Sequence, residues 1–321
     1  MKEITENIRK IAVRLLEEKK VDGVIGFRRG SLVYMTEPFM ARTRAQAEEL
    51  VFNSHCRMNL AAYLTPDRFK GEAGKLAVLA KGCDSRNIVT QILENRFTRD
   101  QVHVIGLPCK GMVDKTRLLA ASKSHILDID EEDESLFLTL EHGNKRLSKA
   151  DLLQSNCSTC ISRNPVLFDE LAGEKVEELD LGEERFADVA KVEAMDIEVR
   201  KAYFSDLLST CTRCYACRNA CPLCYCPTCF VDEARPQWVG KSCDSTDVMT
   251  YHLVRAFHDA GRCTDCGACE AACPMDISMR LFTRKTIRDC KEAYDWEAGM
   301  DQSLRPALDL FELTDKNDFI R

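Results

Sequence analysis

The apolar positions of this chain fall into short blocks whose period changes along its length. Residues 3–19 put Ile8, Ile11, Ala12, Leu15 and Leu16 on one face, the spacing of an amphipathic helix. GVIGF and LVYM then read as short strands around an Arg28-Arg29-Gly30 turn, and Thr43 can cap a helix running to about Leu64. KLAVLA at 75–80 is a compact apolar run ending in Lys81-Gly82-Cys83, after which Asp84-Ser85 opens the helical stretch RNIVTQILENRF. VHVIGL at 102–107 is the next strand, ended by Pro108-Cys109. Strand, helix and strand over roughly 30 residues have the size of a βαβ unit, which implies parallel strands. The acidic, hairpin-like stretch ILDIDEEDESLFLTLEHGNKR follows.

Length and charge refine this picture. With 321 residues the chain suggests about two domains and can bury a core without disulfides. No apolar run is long enough to cross a bilayer, and the N-terminus is charged rather than signal-like, so a soluble, cytoplasmic protein is expected. Net charge is +7 over residues 1–120, −11 over 121–210 and −3 over 211–321. That distribution argues against nucleic acid as the main partner, because phosphate binding wants a basic footprint. In a reducing compartment, 18 cysteines at short spacings point to metal or redox chemistry instead of disulfides.

Thirteen of those cysteines lie between Cys211 and Cys290, which sets off a second domain. Cys211, Cys214, Cys217 and Cys221-Pro222 repeat the spacing of Cys263, Cys266, Cys269 and Cys273-Pro274, and both match the ferredoxin run whose fourth cysteine ligates the other cluster. Two 4Fe-4S clusters are therefore expected, one on Cys211, Cys214, Cys217 and Cys273, the other on Cys221, Cys263, Cys266 and Cys269. Zinc sites more often pair C-x2-C knuckles than string four cysteines together. The 41 residues between the runs include the helical stretch STDVMTYHLVRAFHDAG, with Val248, Leu253, Val254 and Phe257 as its apolar residues. A small βαββαβ ferredoxin needs no such insertion, and a mainly α-helical dicluster domain resembles the layout better.

In the first domain, Cys83 and Cys109 sit at the carboxyl ends of two parallel strands, where open α/β sheets form their ligand crevice. Isolated cysteines are more often small buried thiols, but the C-x-x-C pair Cys157 and Cys160 needs two further ligands to complete a four-thiolate site. All four are read as a third site. Cys224, Cys226, Cys229 and Cys243 are either a fourth metal centre, iron–sulfur or zinc, or buried thiols around the neighbouring cluster. Cys56, taken as helical, and Cys290 read as ordinary core or helix thiols. His55 and His103 read as structural, and Arg28 and Arg29 as a solvent-exposed turn that could also meet a phosphate. There is no G-x-G-x-x-G after a strand.

GCDSRNIVTQILENRFTRDQVHVIGLPCKGMVD followed by NCSTC resembles the coenzyme F-420 hydrogenase/dehydrogenase beta-subunit family, which includes formate dehydrogenase beta subunits. The likeness is clear over roughly residues 70–175. It implies a 4Fe-4S cluster on Cys83, Cys109, Cys157 and Cys160 and, as in several members, an FAD beside it. CTRCYACRNACPLCYC with GRCTDCGACEAACP is similar to the dicluster portion of iron–sulfur subunits that accompany heterodisulfide-reductase-like complexes. Here the ferredoxin motifs follow the beta-subunit core, whereas in some relatives they precede it.

The expected architecture is an α/β domain over 1–200 with a parallel-strand βαβ core, a mainly α-helical dicluster ferredoxin domain over 201–300, and a tail over 301–321. The expected function is an iron–sulfur electron-transfer subunit of a cytoplasmic, oxygen-sensitive oxidoreductase complex, relaying single electrons through three or four clusters. Its partners would be flavoprotein, heterodisulfide-reductase-like, hydrogenase or dehydrogenase subunits that carry the substrate chemistry. A second reading has FAD on this chain exchanging a hydride with coenzyme F-420 or a nicotinamide. A third has zinc knuckles of an interaction scaffold.

Overall fold

A computed structural model describes residues 1–69, 71–132 and 134–306. The tail expected over 301–321 lies outside the described residues from 307 onward. Helix α1 (Lys2–Glu17) buries Ile8, Ala12 and Leu15 against the sheet, as its apolar spacing requires. Strands β1 (Val24–Arg29) and β2 (Thr36–Ala41) pair antiparallel, with Gly26 opposite Phe39. After the short helix α2 (Arg44–Ala47) come β3 (Leu76–Ala80), α3 (Gly82–Leu93) and β4 (Val102–Gly106). Strands β1, β3 and β4 are parallel to one another, so the expected βαβ core is present. Every residue of β3 is buried, which is why that strand reads as an unbroken apolar run with no polar alternation.

Helix α4 (Lys115–Ser122) leads into a separate antiparallel sheet of β5 (Ile126–Glu131), β6 (Ser135–Leu140) and β7 (Gly143–Ser148). It covers its own small core of Leu118, Ile126, Leu136, Leu138 and Leu140. The short helices α5 (Lys149–Leu152) and α6 (Ser155–Ser158) return the chain to the first sheet, which β8 (Glu170–Leu171) completes in the order β2-β1-β3-β4-β8. From there the structure is helical: α7 (Ala187–Glu193), α8 (Ile197–Leu207), α9 (Ala216–Ala220), α10 (Ser245–His258), α11 (Ala268–Ala271) and α12 (Arg280–Tyr294). A second core of Leu208, Val231, Val248, Tyr251, Ile277, Met279 and Phe282 holds this part together.

Three local expectations change. LVYM is not a strand: Gly30 N–H reaches Met35 O at 3.0 Å, the chain turns there, and Leu32 and Val33 are left exposed. The pairing shifts to residues 36–41, an edge strand that tolerates Pro38 because one side of it needs no N–H. Thr43 does cap a helix, accepting from Gln46 N–H, but that helix stops at Ala47. Leu50, Val51 and Phe52 are consecutive and all buried, which no single helix face permits, and Val51 N–H bonds to Phe27 O. Cys56, expected on that helix, lies in a turn, fully buried in the first core.

The two regions meet through polar contacts around α3. Asn87 donates to Thr264, Gln91 to Pro222 O, and Arg86 to Ala298 O at 2.9 Å, while Glu94 pairs with Arg262 and accepts from Tyr225. The carboxyl edge of the parallel sheet therefore faces the cysteine-rich loops.

Candidate metal centres

Cys83, Cys109, Cys157 and Cys160 line one cavity at that carboxyl edge. Cys83 stands in the first turn of α3, just past β3, and Cys109 three residues past β4. Helix α6 and the turn after it bring Cys157 and Cys160 across from them. Gly82 permits the close approach, since a Cβ there would sit 1.8 Å from Ser162 O in the segment that follows Cys160. Main-chain N–H groups already point at two of the sulfurs, Gly111 at Cys109 Sγ (3.4 Å) and Met112 at Cys157 Sγ (3.2 Å). Burial pushes all four thiols up, Cys157 to about 11. Lys81, buried and ion-paired with Asp84 at 3.0 Å, opposes that rise at Cys83 and Cys109.

The two ferredoxin-type runs fold as near copies. Residues 52 apart adopt the same left-handed backbone, Arg213 (φ 52°) with Asp265 (φ 58°), and Tyr215 (φ 60°) with Gly267 (φ 73°). In each run the third cysteine falls on the short helix that follows, Cys217 on α9 and Cys269 on α11. Cys211, Cys214 and Cys217 share a cavity with Cys273, which arrives from the other run. In the second run Cys266 and Cys269 feel the charge of Cys221, and Cys263 that of Cys266; burial raises all three, Cys266 to about 12. Cys266 also lines the cavity of the first domain, so the two sites share a wall.

The set Cys224, Cys226, Cys229 and Cys243 is not drawn together. Cys224 lies with Cys221 and Asp259, their ligand atoms all within 4.8 Å. A hydrogen bond between the two thiols lowers Cys221 and raises Cys224, as expected if Cys224 keeps its proton and donates it. Cys229 accepts from Arg218, Cys243 Sγ–H reaches Thr212 O at 3.4 Å, and Cys226 is exposed. Among the described residues no three of these four have their sulfurs within 4.8 Å of one another. Cys290 is buried on α12.

The stretch read as helical between the runs is helix α10, but apolarity does not mark its buried face: Leu253 and Phe257 are 41% and 70% exposed. Its buried face holds Val248, Tyr251, His252, Arg255 and Ala256. Tyr251 Oη lies 3.4 Å from Cys217 Sγ, and His252 Nε2 lies 3.4 Å from Cys211 Sγ. Burial, with Arg255 and Arg213 nearby, lowers His252 to about 4. The 251, 252, 255, 259 spacing of polar residues was the available signal for this face, and an apolar count passes over it. His55 is buried and lowered to about 3, chiefly by burial, and His103 contacts Glu170 at 3.0 Å. Arg28 pairs with Glu37 on the neighbouring strand.

The donor chemistry suits iron–sulfur clusters. All eighteen cysteines are free; of the twelve in the three sets, Cys109, Cys157 and Cys217 are buried, Cys214 is exposed and the rest are half-buried. Arg185 Nε, at the first-domain cavity, and Arg255 Nε, beside Cys221 and Cys269, are buried donors with no acceptor among the described residues. Anionic clusters with sulfur acceptors would satisfy such groups.

Fold and donor set thus define an iron–sulfur protein, and residues 256–277 match the 4Fe-4S binding domain family. The chain is similar along almost its whole length to beta subunits of F420-dependent formate dehydrogenases. It is 24% identical to that of Methanocaldococcus jannaschii, with 92% of each chain covered. It is 25% identical to that of formate dehydrogenase 1 from Methanococcus maripaludis, covering 92% of this chain and 90% of the relative. The resemblance to the F-420 hydrogenase/dehydrogenase beta-subunit family holds. A chain of the F420-reducing [NiFe] hydrogenase complex from Methanosarcina barkeri aligns with TM-score 0.39 and 19% identity, over 50% of this chain and 62% of that one, less than two thirds of its length. No helix among the described residues is long and apolar enough to cross a membrane.

Proposed function

We propose that this chain is an iron–sulfur electron-transfer subunit of a cytoplasmic oxidoreductase complex linked to coenzyme F-420, working with flavoprotein, dehydrogenase, hydrogenase or heterodisulfide-reductase-like subunits. The observation that carries the reading is that Cys83, Cys109, Cys157 and Cys160 line one cavity, and that Cys211, Cys214 and Cys217 line another with Cys273 from the other run. When bound, a 4Fe-4S cluster takes up and gives back one electron at a time. The protein's part is to hold the thiolates, to exclude water, and to set each site's charge through hydrogen bonds and buried ions. The separate cores support an α/β unit over 1–200 and a helical dicluster unit over 201–300. Cys266, in the wall between two of the sets, supports a continuous route across that boundary.

Anaerobic purification, iron and sulfide analysis and EPR test the proposal. About twelve irons per chain are expected, four for each set, and fewer than about eight sinks it. Flavin analysis of the same sample distinguishes the alternative in which this chain itself exchanges a hydride, which requires stoichiometric FAD.

A further inference from the structure

Helix α10 belongs to neither cysteine run, yet its buried polar face touches both. Tyr251, His252, Arg255 and the C-cap Asp259 follow one another along one side of the helix, and Tyr251, His252 and Asp259 are at most 3% exposed. The amino-terminal half of that face meets the first set and the carboxyl-terminal half the second. Tyr251 Oη and His252 Nε2 each lie 3.4 Å from a ligand sulfur of the first set, Cys217 and Cys211 respectively. Their positions are fixed by packing: the Tyr251 ring meets Tyr215 edge-on at 5.3 Å, and the His252 ring stacks on Phe282 at 6.1 Å. At the second set the helix offers an ion pair instead, Arg255 to Asp259 at 3.5 Å, in which the carboxylate lies within 4.8 Å of Cys221 Sγ.

A hydrogen bond to a ligating sulfur stabilises the more negative, reduced state of a cluster and raises its potential. An aspartate beside the sulfur acts the other way, partly cancelled by its arginine. The loops carry the same bias, with Arg213 and Arg218 in the first run where Asp265 and Glu270 stand in the second. Resting on the cluster reading above, we propose that α10 is a potential-setting helix: Tyr251 and His252 are positioning residues that donate to Cys217 and Cys211 and hold the first cluster at a higher potential than the second. Electrons arriving at the second cluster would then run toward the first, whose ligand Cys214 is exposed.

The test is an anaerobic redox titration of the full-length, iron-loaded chain followed by EPR, with Cys214→Ala identifying the signal of the first cluster. Tyr251→Phe combined with His252→Leu is expected to make that cluster harder to reduce by about tenfold, which is 59 mV for one electron, and to leave the second unmoved. His252→Gln, which retains an N–H donor, should recover part of the shift. Tyr251→Phe removes a single oxygen and decides the matter alone if His252→Leu loses iron. An unchanged potential at wild-type iron content, or an equal shift in both clusters, overturns the role of α10. A wild-type chain that takes up fewer than about eight irons overturns instead the cluster reading beneath it.

Discussion

The runs 211–222 and 263–274 share a backbone but live in different surroundings. In the first, Tyr215 occupies the second left-handed position, and its ring lies against Tyr251 and under the Arg218 guanidinium. In the second the same position is Gly267, and a Cβ there would come within 2.3 Å of the Asn156 side chain. Asn156 approaches from the first domain and donates to Cys266 O at 3.0 Å. The glycine is thus a docking requirement as much as a turn requirement. Charge follows the same division. Asp265 lies between Arg280 and Arg284, whereas its counterpart Arg213, itself buried, donates to Gly240 O and Ser242 O of a loop. One cysteine loop is an internal joint and the other faces outward, and equal cysteine spacing does not show which is which.

Breaking the exchange of cysteines gives the largest effect. Cys273→Ala lies in the second run, yet it is expected to remove about four irons and the signal that Cys214→Ala also removes, leaving the other cluster intact by EPR. Loss of the second cluster instead would mean that each run binds its own. Next comes Asp265→Asn. Burial works against this carboxylate, but Arg280 and Arg284 outweigh it and hold it below the usual carboxylate range. Removing its charge leaves two buried arginines leaning on Glu270 and Asp188, and an expected loss of about 3 kcal/mol is readable from urea unfolding. The smallest effect separates the two loops most directly. Gly267→Ala should cost about 1–2 kcal/mol from its left-handed backbone alone and loosen the Asn156 contact, while Tyr215→Gly relaxes its backbone and loses ring packing and the hydroxyl that accepts from Arg213. Equal thermal shifts in the two variants would erase the distinction.

Part of this was legible in the amino-acid sequence. The two cysteine runs follow from spacing, and the place of Cys83 between a strand and a helix follows from the apolar run that ends just before it. The strand at 76–80 was legible because a central parallel strand is apolar on both faces. The face of α10 was not, since hydrophobicity normally marks what is buried, and next to sulfur ligands the buried residues are those with an N–H or O–H to offer. The helix expected after Thr43 failed for a related reason: Leu50, Val51 and Phe52 satisfy burial by lying flat beside β1, a tertiary choice that local periodicity does not carry. Spacing was equally silent on the surroundings of the other four: Cys224, Cys229 and Cys243 each meet a partner outside their group, and Cys226 is exposed.

The shared wall at Cys266 has a consequence for biosynthesis. The cavity of Cys83, Cys109, Cys157 and Cys160 is closed on one side by Thr264, Asp265 and Cys266, more than a hundred residues downstream of its last cysteine. On a ribosome the first four thiols are therefore synthesised well before the segment that shelters them. The first hydrophobic core has all its residues by Ala172, but the cavity that could guard a cluster from water is not closed until the second cysteine run has emerged.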